Sequence, residues 1–175
     1  MFFDLIRKRR SIRAFLEKDI EQEKLDLLIE AALRSPSSRS LNPWEFILVR
    51  DKHMLAQLSE SKPHGASFLK AAPLGIVVIA DPSVCDVWVE DCTIASTYIQ
   101  LAAESLGLKS CWIQIRKREY KPGRTAAERV SDLLNIPPTM DVLSIIAIGY
   151  PAQTLDGHGK ESLLYNKIHR GMYGH

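Results

Sequence analysis

No stretch of this chain approaches the ~20 consecutive apolar residues that a membrane-spanning helix needs. Its longest apolar runs, within 73–80 and 141–149, have the length of buried strands. Met1-Phe2-Phe3 leads at once into Asp4 and a basic cluster, so no secretion signal is readable, and a cytoplasmic protein is expected. Cysteine is scarce: Cys85, Cys92 and Cys111 are odd in number and have no C-x-x-C spacing. That argues against a disulfide framework and a zinc site and leaves reduced thiols as the expectation. The histidines at 53, 64, 158, 169 and 175 show no metal-ligand spacing such as H-E-x-x-H, so no metal is expected. G-x-S-x-G is missing, as are G-x-G-x-x-G and G-x-x-x-x-G-K-[ST], which removes the common serine-hydrolase, dinucleotide-fold and P-loop readings. An enzyme built this way has no catalytic side chain of its own to point to and borrows its reactive group from a cofactor.

What is present is an ordinary soluble composition, 46% hydrophobic and 25% charged, over 175 residues with a net charge of +2. Such a length suits one domain spanning 1–175. Against that near-neutral background stands Arg9-Arg10-Ser11-Ile12-Arg13. Three guanidiniums and a hydroxyl within five residues suit the oxygens of a phosphate. A solvated basic patch or a nucleic-acid arm is the plainer alternative. A general polyanion binder carries a basic face, however, and a net +2 speaks against one.

Taken in order, Phe2, Phe3, Leu5 and Ile6 fit one face of a short helix that delivers the arginines at its end, which makes it a core element. Residues 21–34 form an amphipathic helix, with apolar positions at 25, 28, 29, 32 and 33. It runs into a stiff loop, 35–44, with two prolines and four serines, able to present hydroxyls to a flat polar ligand. A strand at 44–50, a helix capped by Asp51 and a strand at 73–80 follow. Residues 84–106 make a long helix with Ile94, Tyr98, Leu101, Ala102 and Leu106 on one face, apolar enough elsewhere to be central or to lie in an interface, and Gly107 ends it. Strands at 110–115 and 141–149 flank a basic connector at 116–124 and a helix at 125–134. The alternation indicates an α/β or α+β class around one sheet. The tail, 152–175, carries enough apolar residues to need a surface to pack on.

Arg9-Arg10-Ser11-Ile12-Arg13-Ala14-Phe15, then 31–38 (Ala-Ala-Leu-Arg-Ser-Pro-Ser-Ser), Asn42-Pro43-Trp44-Glu45-Phe46, 101–112 and Ile148-Gly149-Tyr150-Pro151 stand in an order that resembles the FMN-dependent nitroreductase family. The resemblance implies an α+β fold, a mixed central β-sheet flanked by helices, in an intertwined homodimer with FMN at the subunit interface. It implies ping-pong transfer of reducing equivalents from NAD(P)H to an organic acceptor such as a nitroaromatic or quinone. The alternative is a flavin-binding or flavin-handling protein without reductase turnover. Carried over by position, Arg9, Ser11 and Arg13, with Arg10 alongside, would hold the FMN phosphate, ribityl chain and pyrimidine edge. Pro36, Ser37, Ser38 and Ser40 would come from the other subunit. Trp112, Ile113 and Gln114 would lie against the flavin, with the Gln114 backbone N–H as donor to N5, and Lys160 would be a further phosphate ligand. The resemblance also implies that the tail, 152–175, packs on the partner or roofs the flavin, because the stretch after Leu106 lacks the helices that larger members insert there.

Overall fold

The two most apolar runs occupy the middle of the sheet. In the computed structural model, which describes residues 2–174, β2 (Leu74–Ala80) and β6 (Asp141–Gly149) are buried at every position but Asp141. Strands apolar on both faces need helices on both sides, and the chain supplies them. β1 (Trp44–Val49) and β3 (Lys109–Gln114) complete a sheet ordered β1-β2-β6-β3. These four strands pair antiparallel, and the parallel pairing that makes the sheet mixed is a single bridge between Ser11 and Ser110.

Side-chain alternation along the strands sorts the core into two layers. On one face, Ile76, Val78 and Ile146 pack with α2 (Gln22–Leu33) and α4 (Trp88–Ser105). On the other, Val77, Ile145 and Ala147 pack with α3 (Lys52–Ser59), α5 (Ala126–Leu134) and Leu69. The expected caps are in place. Asp51 accepts from Met54 N–H at 2.7 Å, and Gly107, at φ +73°, closes α4 with hydrogen bonds back to Glu104 and, through Leu108, to Ala103. Thr125 and Glu128 form a reciprocal capping box at the start of α5.

Three sequence expectations change. α1 (Phe2–Lys8) forms and delivers the arginines, yet it buries none of its residues within the single chain, and Phe2, Phe3 and Ile6 are exposed. α4 begins at Trp88, and its inward face is Cys92, Ala95, Ile99 and Ala103, while Ile94 and Tyr98 point outward. Small residues on that inward side let the helix lie close to the sheet, which an apolarity count does not register. The basic connector is structured as a small hairpin, β4 (Glu119–Lys121) and β5 (Arg124–Thr125).

Two contacts at the end of β6 give measurable consequences. A Cβ on Gly149 would sit 2.6 Å from Pro73 Cδ and 3.0 Å from a Phe15 ring carbon. Because the proline ring has little room to yield, Gly149→Ala is expected to cost about 1–3 kcal/mol, read from denaturant unfolding. The next residue ties this strand to α2: Tyr150 donates to Glu21 at 2.5 Å and accepts from Lys24 at 2.7 Å. The Tyr150 hydrogen bond chiefly holds the Glu21 carboxyl down, at about 2 against an ordinary 4.5. A depressed carboxylate stabilises the fold above its unfolded value and loses that contribution as pH falls from about 4.5 through 2. Glu21→Gln is therefore expected to flatten the stability profile across that acid window, and an unchanged profile would remove Glu21 from it.

Candidate functional site

The outer edge of β3 organises the candidate site. Ile115 N–H donates to Leu143 O, so the odd residues at this end of β3 turn their main-chain groups toward β6. Ser110, Trp112 and Gln114 turn theirs to the open edge. Ser11 bridges there, and Ile12 N–H donates to Ser110 O at 3.1 Å. Past that bridge no strand among the described residues covers Trp112 or Gln114.

Cations gather along this edge. Arg13 lies 5.8 Å from the centre of the Phe68 ring. Lys62 Nζ donates to the Gln114 carbonyl at 2.9 Å. Burial pushes the Cys111 thiol above its ordinary value, against the opposing pull of Arg13, a hydrogen bond from Ser11, Arg9 and Lys62. Burial also lowers Lys62, and the positive charge of Arg118 adds to that. Arg9, Ser11, Arg13 and Lys62 thus all lie within electrostatic reach of one thiol on β3. Lys62 escaped the sequence reading because Lys62-Pro63-His64-Gly65 reads as a break between elements.

Gln114 is fixed for a main-chain role. Its Oε1 accepts from Trp112 Nε1 at 3.0 Å and its Nε2 donates to Arg116 O at 2.8 Å. With the side chain held on both sides, the backbone N–H faces the open edge. Ile113 between them is fully buried and anchors the strand in the core.

Pro36, Ser37, Ser38 and Ser40 lie elsewhere in the single chain. Ser37 Oγ donates to Asn42 Oδ1 at 2.7 Å and accepts from Asn42 N–H, so this hydroxyl builds the loop's own turn. Arg39, Ser40 and Asn42 hold positive φ. Ser38 N–H donates at 2.8 Å to Asp91, a carboxylate only 2% exposed near the start of α4, whose other oxygen accepts from Cys85 Sγ at 3.3 Å. Arg39 pairs with Asp86 beside it. Among the described residues, no hydrogen bond or ion pair joins this loop to residues 9–13.

The tail returns to the arginines. Gly157 packs against the Arg7 carbonyl so closely that a Cβ would overlap it, and Arg10 Nη1 lies 2.9 Å from His158 Nε2. Lys160 follows two residues later, exposed, in the turn Lys160–Ser162. His175 lies outside the described residues. Among the described residues no cluster could hold a metal ion, and no helix is long and apolar enough to cross a membrane.

A strand edge offering an N–H and lined by guanidinium, ammonium and hydroxyl donors has the chemistry to hold a planar, many-acceptor group that ends in a phosphate. FMN is such a group, and the residues present fit it.

The carboxylate under the serine loop yields a test. Asp91→Ala leaves Ser38 N–H without its acceptor and is expected to cost about 1–3 kcal/mol and to speed tryptic cleavage after Arg39. Unchanged stability and cleavage would show that the loop does not depend on Asp91.

Known proteins agree with this geometry. The model of a family described as the nitroreductase family matches residues 6–150. A curated protein of Archaeoglobus fulgidus, provisionally named NADH dehydrogenase/NAD(P)H nitroreductase, is 36% identical over 171 residues, 95% of each chain. A solved FMN-dependent nitroreductase from Clostridium difficile superposes with a TM-score of 0.96 at 44% identity, over 98% of this chain and 99% of that one. A solved Parabacteroides distasonis protein, also provisionally an NADH dehydrogenase/NAD(P)H nitroreductase, gives 0.89 at 34% identity over 98% of both. With the matched segment running from α1 through the end of β6 and the whole backbone superposing, the chain belongs to the nitroreductase family.

Proposed function

We propose that the protein is an FMN-dependent oxidoreductase that passes reducing equivalents from NAD(P)H to an organic acceptor, a nitroaromatic, a quinone or a similar molecule, by a ping-pong mechanism. The observation that carries this reading is the convergence of Arg9, Ser11, Arg13 and Lys62 on the open edge of β3, beside the outward-facing Gln114 N–H. The names borne by the relatives, nitroreductase and FMN reductase [NAD(P)H], support it.

FMN, when bound, would supply the two-electron redox chemistry. The chain's part is to bind and orient. Arg9 and Ser11, with Arg10 alongside and Lys160 from the tail, take the phosphate and ribityl end. Arg13 and Lys62 take the pyrimidine edge, where cationic charge favours the electron-rich ring. The Gln114 N–H, held by the main chain of a core strand, would donate to N5, with Trp112 and Ile113 as its neighbours in that strand. Hydride exchange then asks only for stacking geometry, which explains a site without a nucleophile or a general base.

A second copy completes the site in this reading. Phe2, Phe3 and Ile6 on α1, Ile94 and Tyr98 on α4, and Leu163, Leu164, Tyr165 and Ile168 of the tail form more exposed apolar surface than one subunit leaves in water. Pro36, Ser37, Ser38 and Ser40 then come from the partner, and the tail, 152–175, packs across the contact as an extension of the single domain.

The purified protein is expected to be yellow, or to take up FMN, and to oxidise NADH or NADPH with menadione or a nitroaromatic. Flavin bound without turnover would instead support a flavin-handling role. Arg13→Ala is expected to weaken FMN binding by about 1.5–3 kcal/mol, one to two decades in Kd by flavin-fluorescence titration. Unchanged affinity would take Arg13 out of the site.

A further inference from the structure

Residues 116–129 carry six basic and two acidic side chains in a chain whose net charge is only +2. Their fold concentrates that charge. Lys121, Arg124 and Arg129 stand 5.8, 5.9 and 5.5 Å from the centre of one ring, Tyr120. Among the described residues, the hairpin's cations form one carboxylate ion pair, Arg124 with Asp132. Arg129 Nε is shielded from solvent without a hydrogen-bond partner. Like charges gathered at such spacing repel one another, and an anion relieves the repulsion.

The hairpin also adjoins the proposed flavin site. Tyr120 lines a cleft of about 540 Å3 together with Lys62, Ser67 and Lys70. Lys62 is the residue whose ammonium group holds the Gln114 carbonyl. Lys62 therefore links the cleft to the strand edge where hydride exchange is assigned, and the hairpin contributes Tyr120 to a lining that also includes Glu60, with the cations around Tyr120 flanking the cleft. A sugar-phosphate unit fits such a volume.

We infer that the β4–β5 hairpin is the docking site for the phosphates of the nicotinamide dinucleotide, with Arg118 and Lys121 drawing the pyrophosphate into the cleft while the nicotinamide lies over the ring at Gln114. This rests on the functional reading above and adds to it the element that recognises the reductant. Arg118 fits the role. Its backbone is held by hydrogen bonds to Ile115 and Ala126, and its charge is close enough to Lys62 to lower it. Recognition through charge leaves the hydride chemistry itself untouched, because the phosphates are remote from the reacting carbon.

The test compares two hydride donors on the FMN-loaded protein by stopped-flow bleaching of the flavin. NADPH and NADH carry phosphates, and 1-benzyl-1,4-dihydronicotinamide has the same reacting ring and none. In the double variant Arg118→Gln/Lys121→Gln, the concentration of NADPH or NADH giving half-maximal reduction is expected to rise about tenfold or more. The benzyl donor's rate, the FMN Kd and reoxidation by uncharged menadione are expected to stay as they were. In the unaltered protein, added salt is expected to weaken NADPH reduction and to leave the benzyl donor's rate unaffected. Equal losses with both donor types, or unchanged half-saturation with NADPH and NADH, would overturn the assignment of the hairpin. Failure of every donor to reduce the flavin in the unaltered protein would overturn the functional reading first.

Discussion

The bridge between Ser11 and Ser110 is the contact on which the site depends. It is one parallel pairing with one hydrogen bond, from Ile12 N–H to the Ser110 carbonyl, in a sheet that is otherwise antiparallel. Ile12, 1% exposed, makes it firm by entering the core beside Ile113 and Ile115. Without it the arginines would form a mobile basic arm, which is how such a cluster reads in isolation. With it, Arg9 and Arg13 are carried to the strand edge where Gln114 presents its N–H.

Every neighbouring element serves that edge. Gly107 turns α4 tightly into β3, so the strand starts where the bridge needs it. The segment after α3 contributes Lys62 and Phe68, one against the Gln114 carbonyl and the other under Arg13. β6 fixes the register and so decides which residues of β3 look outward. The alternation of a strand does the rest, since a slip of one residue would turn the Gln114 N–H inward.

Much of this was legible. The continuous apolar runs within 73–80 and 141–149 located β2 and β6, and the caps at Asp51 and Gly107 fixed element ends, because these are local preferences that the fold does not override. Arg9, Ser11 and Arg13 stood out through residue type and order as donors suited to an anion, which is the role proposed for them. Lys62 was not, because its partner is a main-chain carbonyl 52 positions away. Which face of α4 turns inward was not legible either, for a related reason. Ile94 and Tyr98 outweigh Ala95 and Ala103 on any apolarity scale, yet close packing on the sheet selects the small side chains.

The sequence by itself determined the elements, their order and the chemical character of the cofactor end of the site, since propensity, periodicity and residue type act over a few positions. Only the tertiary structure decided which cations converge, that Gln114 offers its backbone while its side chain is tied to Trp112 and Arg116, and that the serine loop rests on Asp91 away from the arginines. Those outcomes depend on strand register and on contacts between residues far apart in the chain, where direction and distance matter and composition carries no record of either.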